Sequence, residues 1–337
     1  MLDQRAGVDL SVAVIVPIRN ERRRLPELLQ AIEDQTLRPD EVVIVDGRST
    51  DGSRSWLHAA MHSRPWLRLI DNPTRVIPDA LNRGVQATSA DIVARMDAHA
   101  MYDCDYLEQL VDVLAIHSEV AGAGGAMRTT GSGPWGSAIA SVLRRPWGLG
   151  GAPHRVGGVG GPVDHTFCTA YRRSAVLAVG GWDRHLLANE DVELDFRVAA
   201  TEGPIWLVPQ AGSTWRTRET PGALVRQMWR YGYYRARTAH LHPRTLKARH
   251  LVPVVVVTAI PALGLLRPRW GAALAFSYVV GATGMGALGA RRDHASGLRG
   301  GIVVPVVHVA WGAGMVVGLV RHVGARSAPG LPPLGYR

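Results

Sequence analysis

From residue 11 to about residue 125 the chain alternates short apolar runs with amphipathic stretches, and that rhythm narrows the fold more than any other feature. Strand, helix, strand, repeated, builds a mostly parallel sheet covered by helices, an α/β architecture. Residues 12–16 read as the first strand, halted by Pro17, and 25–35 carry apolar residues at 25, 28, 29 and 32, the spacing of one helical face. Residues 42–45, 67–70 and 92–96 read as further strands, with helices over 53–61, 79–87 and 106–117. A chain of 337 residues has room for one such domain with a sizeable core and something smaller beside it.

Two of these runs end in acids. The run over 92–96 opens into Asp97, Ala98 and His99, and the run over 42–45 into Asp46 and the turn 47–52. Open sheets collect ligands at the carboxyl ends of their strands, where Pro17, Asn20, Glu21, Asp46 and Asp97 all fall. A carboxylate and an imidazole one residue apart suit Mn2+ or Mg2+ whose other positions are filled by phosphate oxygens. The competing explanation is a solvated strand terminus, and Asp46 on a neighbouring strand tips the balance toward a metal that carries a diphosphate.

Beyond residue 126 the pattern changes. Residues 127–164 are rich in Gly, Pro and Trp, which marks loops rather than a second core, either a mobile loop closing over substrate or an irregular surface connection. Its glycine pairs lack the G-x-G-x-x-G spacing of a dinucleotide fold, which excludes a nicotinamide enzyme. Asn189, Glu190 and Asp191 then precede a helix, either as a plain cap or as carboxylates held ionised at its positive end and able to take a proton. Residues 226–237 mix cations with aromatics, suited to a diphosphate, to sugar rings or to a membrane interface.

Three runs without a charged residue follow, 251–266, 271–290 and 301–320. The last two have the length of a membrane span. The first is shorter and holds Pro253 and Pro261, so a kinked span, a re-entrant segment and an interfacial helix all remain open. A buried helical pair in a soluble domain is the alternative. His308, inside the last run, reads as a packing or interfacial residue.

The formal charge of +10 favours phosphates and anionic membranes, yet the basic residues are scattered and form no stripe with interleaved aromatics, which excludes nucleic acid as a partner. Cys104 and Cys168 form no C-x-x-C pair and read as reduced thiols. The opening residues, with Asp3 and Arg5, lack the pattern of a signal peptide, so the catalytic part is expected on the cytoplasmic side of the cell membrane.

The ordered set 15–21, 45–52, 95–100, 180–183 and 189–191 resembles glycosyltransferase family 2, in particular its membrane-associated exopolysaccharide glucosyltransferases of the succinoglycan type. The resemblance covers about residues 11–240 and implies a GT-A fold for a domain over 1–240; the apolar runs make 241–325 membrane-associated helices, and 326–337 reads as a flexible tail. It implies an inverting transfer from a nucleotide-diphosphate sugar, expected to be a UDP-hexose, to a hydroxyl of a lipid-linked or polysaccharide acceptor. Carried over by position, Pro17, Asn20, Glu21 and Asp46 would line the nucleotide pocket with Arg75 and Asp79 nearby; Asp97 would hold the metal, with His99 where most of the family has a second Asp; and Asp191 would be the general base, with Glu190 beside it. Gln227, Arg230 and Tyr231 match the Q-x-x-R-W element of processive synthases except for the final tyrosine. Two or three spans are few for a polysaccharide channel, which points to a single addition. The rival enzyme is a polyprenyl-phosphate sugar synthase; the rival of another class is a noncatalytic membrane sensor of nucleotide sugar or glycan.

Overall fold

The computed structural model describes residues 10–323. The N-terminal residues that carry Asp3 and Arg5, and the tail expected over 326–337, lie outside the described residues. In chain order the elements are β1 (Val12–Ile18), α1 (Leu25–Glu33), β2 (Glu41–Asp46), α2 (Ser53–Met61), β3 (Leu67–Asp71), α3 (Ile77–Ala87), β4 (Ile92–Arg95), β5 (Ala100–Tyr102), α4 (Tyr106–Ile116) and β6 (Gly122–Thr130). There follow α5 (Gly133–Leu143), α6 (Pro146–Leu149), α7 (Pro153–Val156), β7 (Gly161–Val163), β8 (Phe167–Arg172), α8 (Arg173–Ala178), α9 (Glu190–Thr201) and β9 (Ile205–Arg216). Four long helices close the series: α10 (Pro221–Leu241), α11 (Leu251–Leu266), α12 (Pro268–Arg292) and α13 (Gly297–Val323). The chain divides into two compact units, one made of residues 10–127 and Gly157–Trp215, the other of Arg128–Val156 and residues 216–323.

The first unit holds a mixed sheet in the order β3-β2-β1-β4-β8-β6-β9-β5, with β7 also paired to β9. Its first four strands run parallel, and β8 returns antiparallel to β4. Val12, Val14 and Val16 of β1 pack on one face with α1 and α4, while Ile15 packs on the other with α3, α8 and α9. Both faces are covered, which is why these strands read as continuous apolar runs and not as alternating ones. At Gly84 of α3 an added methyl group would overlap Ile15, so only glycine lets this helix approach the sheet so closely.

Two expectations are corrected here. Pro17 does not halt β1, which runs on to Ile18; pairing with β4 has ended at Ile15, so a residue without an N–H leaves no gap in that ladder. Asp46 and Asp97 are not at the ends of adjacent strands, because β1 stands between β2 and β4. The order reverses direction at β1, and such a reversal opens a crevice at the carboxyl ends of the strands.

The second unit corrects the expectation that 127–164 is all loop. Within it α5 is a helix of 11 residues with Ala138–Leu143 buried, packed with α12 and α13. Its small side chains hid it, since Ala and Ser contribute little to an apolar pattern while allowing helices to approach. Central to the unit is α13, where Gly314 and Gly318 form a G-x-x-x-G pair against backbone carbonyls of Trp229 and Tyr233 on α10. The helices α11, α12 and α13 contain the three charge-free runs, and the helical stretches Ala248–Leu266, Pro268–Arg292 and Gly297–His322 are each long and apolar enough to cross a membrane. Pro261 lies inside a continuous α11. His308 is a packing residue, its two ring nitrogens meeting the Tyr278 hydroxyl and the Trp147 carbonyl at 3.1 Å each.

Candidate active site

Parallel register sets Ile18 beside Asp46 and Asp46 beside Asp71, so the chain leaves β1, β2 and β3 at one edge of the sheet. The loops after β1 and β2 are laced together there. Asn20 takes a left-handed backbone, its side-chain oxygen accepts from the Thr50 N–H at 2.8 Å, and its own N–H donates to Ser49 Oγ at 2.8 Å. The Glu21 N–H donates to Ser53 Oγ at 3.1 Å. Asp46 is buried and accepts from the Ser49 hydroxyl at 2.5 Å, and Arg54 stands 3.6 Å away while also pairing with Asp71. A cleft of about 460 Å³ lies between Asp46, Arg48, Ser49, Arg54, Asp71, Pro73 and Arg83. Its arginines suit an anionic ligand, and its acids suit ribose or base donors.

Pro17 is half-buried in β1, Asn20 and Glu21 build the loop wall, and Asp46 lines the cleft. Arg75 is exposed on a left-handed turn whose N–H bonds the Asn72 carbonyl. Asp79 is buried in the first turn of α3, with Arg83 and Arg184 at 3.9 and 3.7 Å. Ser49, Arg54, Asp71 and Arg83 were not foreseen. Their one signal is a density of Arg and Asp after two apolar runs.

The second centre forms just past β4. Arg95 is mostly enclosed, its side chain 11% exposed, and its guanidinium grips the buried Asp97 with two bonds, Nε at 2.8 Å and Nη2 at 3.2 Å, while Nη1 reaches the buried Glu190 of α9 at 3.2 Å. One internal cation thus joins two elements far apart in sequence. Burial by itself would raise the Asp97 carboxyl, but Arg95 and then His99 outweigh it and hold the group below the usual carboxylate range. Glu190 is pushed up, first by burial and then by the adjoining Asp191, against the pull of Arg95. The Asp97 N–H donates to the Tyr102 hydroxyl at 2.6 Å, which fixes the strand end.

The donor set here is one ionised carboxylate, with lone pairs beyond those that Arg95 uses, and one exposed imidazole at His99. Among the described residues no three His, Cys, Asp or Glu side chains gather to hold a metal. Such a pair fits Mn2+ or Mg2+ whose remaining positions come from substrate phosphate and water, and it does not fit a metal that demands an all-protein cage.

Asn189 occupies the cap position of α9 in a left-handed conformation, but its side chain makes no capping bond, contrary to the cap reading. Asp191 accepts from the Val192 N–H through Oδ1 at 2.8 Å. Its Oδ2 lies 3.7 Å from His165 Nε2, and His165 Nδ1 lies 2.7 Å from Asp195. His165 was not foreseen; a lone His just past the Gly/Pro-rich stretch carries no periodic signal. In the second unit, Gln227 donates to the Tyr231 hydroxyl at 3.1 Å, one turn along α10, and Arg230 is exposed.

The sequence model of glycosyl transferase family 2 matches residues 13–180. The succinoglycan biosynthesis protein ExoA of Rhizobium meliloti (strain 1021) is 32% identical over 313 residues, 90% of this chain and 93% of that protein. The chain belongs to glycosyltransferase family 2. This family 2 transferase is also 29% identical to the dolichol-phosphate mannosyltransferase of Pyrococcus furiosus, over 115 residues that make up 33% of the chain and 32% of that protein. Among solved structures, the mannosyltransferase PcManGT from Pyrobaculum calidifontis, in complex with GDP-Man and Mn2+, aligns with a TM-score of 0.62 at 20% identity, covering 95% of this chain and 89% of that one. The expected GT-A fold is therefore the observed one.

Proposed function

We propose that this transferase moves a hexose from a nucleotide-diphosphate sugar, of the UDP class, to a hydroxyl of a lipid-linked or polysaccharide acceptor with inversion, in exopolysaccharide or cell-envelope glycan synthesis. The observation that carries the reading is the Arg95 bridge, which ties the ionised Asp97 at the sheet edge to the Glu190–Asp191 pair at the start of α9. Similarity to a succinoglycan biosynthesis protein along nearly the whole chain supports the polysaccharide context.

The cleft beside Asp46 holds the nucleotide, with Asn20 and Glu21 shaping its wall. A divalent metal held by Asp97 and His99 would stabilise charge on the departing diphosphate. The Asp191 carboxylate removes the proton of the acceptor hydroxyl as its oxygen attacks the anomeric carbon, and the bond to the diphosphate oxygen breaks on the opposite side. One displacement inverts the centre. Gln227, Arg230 and Tyr231 serve the acceptor or the diphosphate; residues 1–240 form the catalytic part on the cytoplasmic side, and 241–325 anchor it in the membrane.

The test is release of nucleoside diphosphate from UDP-, GDP- and dTDP-sugars by detergent-purified protein, with and without Mn2+, beside an Asp97→Ala control. Metal-dependent release from one donor, lost in the control, is expected. Full activity in excess chelator would remove the metal from the mechanism. A polyprenyl-phosphate sugar synthase is the second reading, favoured by the match to the dolichol-phosphate enzyme. Offering polyprenyl phosphate against a polyprenyl-diphosphate sugar separates the two, and transfer to the former alone would replace the hydroxyl acceptor.

A further inference from the structure

Asp191 and Asp195 stand four residues apart on α9, one turn along the same face, where like charges repel. Asp195 is fully buried, so no water screens its side of that repulsion. Lodged against both carboxylates is His165, from the connection between β7 and β8. Asp195 is itself held by three donors, the His165 ring at 2.7 Å, the Tyr171 hydroxyl at 2.6 Å and the Thr166 N–H at 3.4 Å. Burial raises the Asp195 carboxyl, and the bonds from His165 and Tyr171 oppose it.

This arrangement fixes the imidazole. With Nδ1 as donor to Asp195, the ring presents the Nε2 lone pair toward Asp191 Oδ2 at 3.7 Å, a separation that a small rotation of either side chain closes. The tautomer is assigned from the hydrogen-bond geometry. The other charged groups beside Asp191 are Glu190 and, through it, Arg95.

We propose that His165, oriented by Asp195, is the proton acceptor behind the base. The proposal rests on Asp191 being that base. The acceptor hydroxyl gives its proton to Asp191, Asp191 passes it to His165 Nε2, and the resulting imidazolium sits between two carboxylates until the proton leaves to water. Asp191 is thereby restored to its ionised form within the turnover. His165 touches no substrate in this scheme and is a positioning residue.

The experiment uses the full chain in detergent. His165→Asn keeps an amide donor for Asp195 near the Nδ1 position and removes the Nε2 acceptor. Transfer from radiolabelled nucleotide sugars to the lipid fraction of solubilised membranes is expected to lose about 100-fold in kcat with the donor KM unchanged. In an Asp191→Asn background the same change should add nothing. The His165 side-chain nitrogen shifts of the 15N-histidine-labelled protein, assigned by their loss in His165→Asn, should move in Asp191→Asn, and this readout needs no turnover. A kcat within threefold of wild type in His165→Asn, a loss confined to KM, or nitrogen shifts indifferent to Asp191→Asn would each overturn the relay. If Asp191→Asn keeps wild-type turnover, the base assignment fails instead, which separates the two failures.

Discussion

At the scale of single residues, Arg95, wedged between two buried carboxylates, decides most. Its charge is matched by Asp97 and Glu190, and taking it away would leave two buried carboxylates without the guanidinium that bridges them. Arg95→Met is therefore expected to cost about 3–5 kcal/mol, the range for breaking a buried ionic group from one side, read as a lowered thermal midpoint of the detergent-purified chain. Arg95→Lys should recover only part of it, because an ammonium cannot make the paired bonds to Asp97. Asp46, Asp97, Glu190 and Asp191 were legible because each is an acid where an apolar run ends or a helix begins. Arg95 stood within a recognised motif, but its partner Glu190 lies 95 positions away, and no local pattern joins them.

At the scale of elements, close packing of small residues sets the arrangement of the second unit. A side chain at Gly314 would overlap the backbone of Trp229. Gly314→Leu should force α10 and α13 apart and cost about 1–3 kcal/mol, the usual penalty of overpacking, seen as a lower thermal midpoint, with the nucleotide binding proposed for the first unit expected to be retained. A second lock is Asp293, which accepts from Arg144, Arg145 and the Ser141 hydroxyl at 3.0, 3.0 and 2.6 Å and ties α5 to the turn after α12. Burial would raise its carboxyl, but Ser141 and the two arginines win and lower it. Because the folded-state value lies below the unfolded one, its stabilisation is present above about pH 3.9 and is lost as pH falls through the folded value. Partial exposure limits it to about 1 kcal/mol. The midpoint of Asp293→Asn should thus lie below wild type at pH 7, and the gap should close in acid.

At the scale of the whole molecule, one chain joins a GT-A sheet to three helices apolar enough to cross a membrane. Only 6% of the apolar window of the helical stretch Ala248–Leu266, which contains α11, is buried within the protein, which leaves a surface that water would not tolerate. The full chain is expected to stay in the membrane fraction after an alkaline carbonate wash and to be released by detergent. Phe276→Arg, at an exposed position of α12, should reduce the membrane-inserted amount, since a cation in hydrocarbon costs about 2.5–3.5 kcal/mol. Release of the wild-type chain by carbonate alone would refute the anchoring role.

The sequence by itself determined the α/β character of the first unit, the acids at its sheet edge and the three apolar helices, since periodicity, strand ends and charge-free length are local properties of the chain. Only the tertiary structure decided that β1 separates Asp46 from Asp97, that Arg95 reaches Glu190, that a helix lies within 127–164, and that His165 stands between Asp191 and Asp195. Each of these joins residues distant in sequence through strand order or close packing. Those depend on which surfaces meet once the sheet has formed, and a local pattern carries no record of its distant partner.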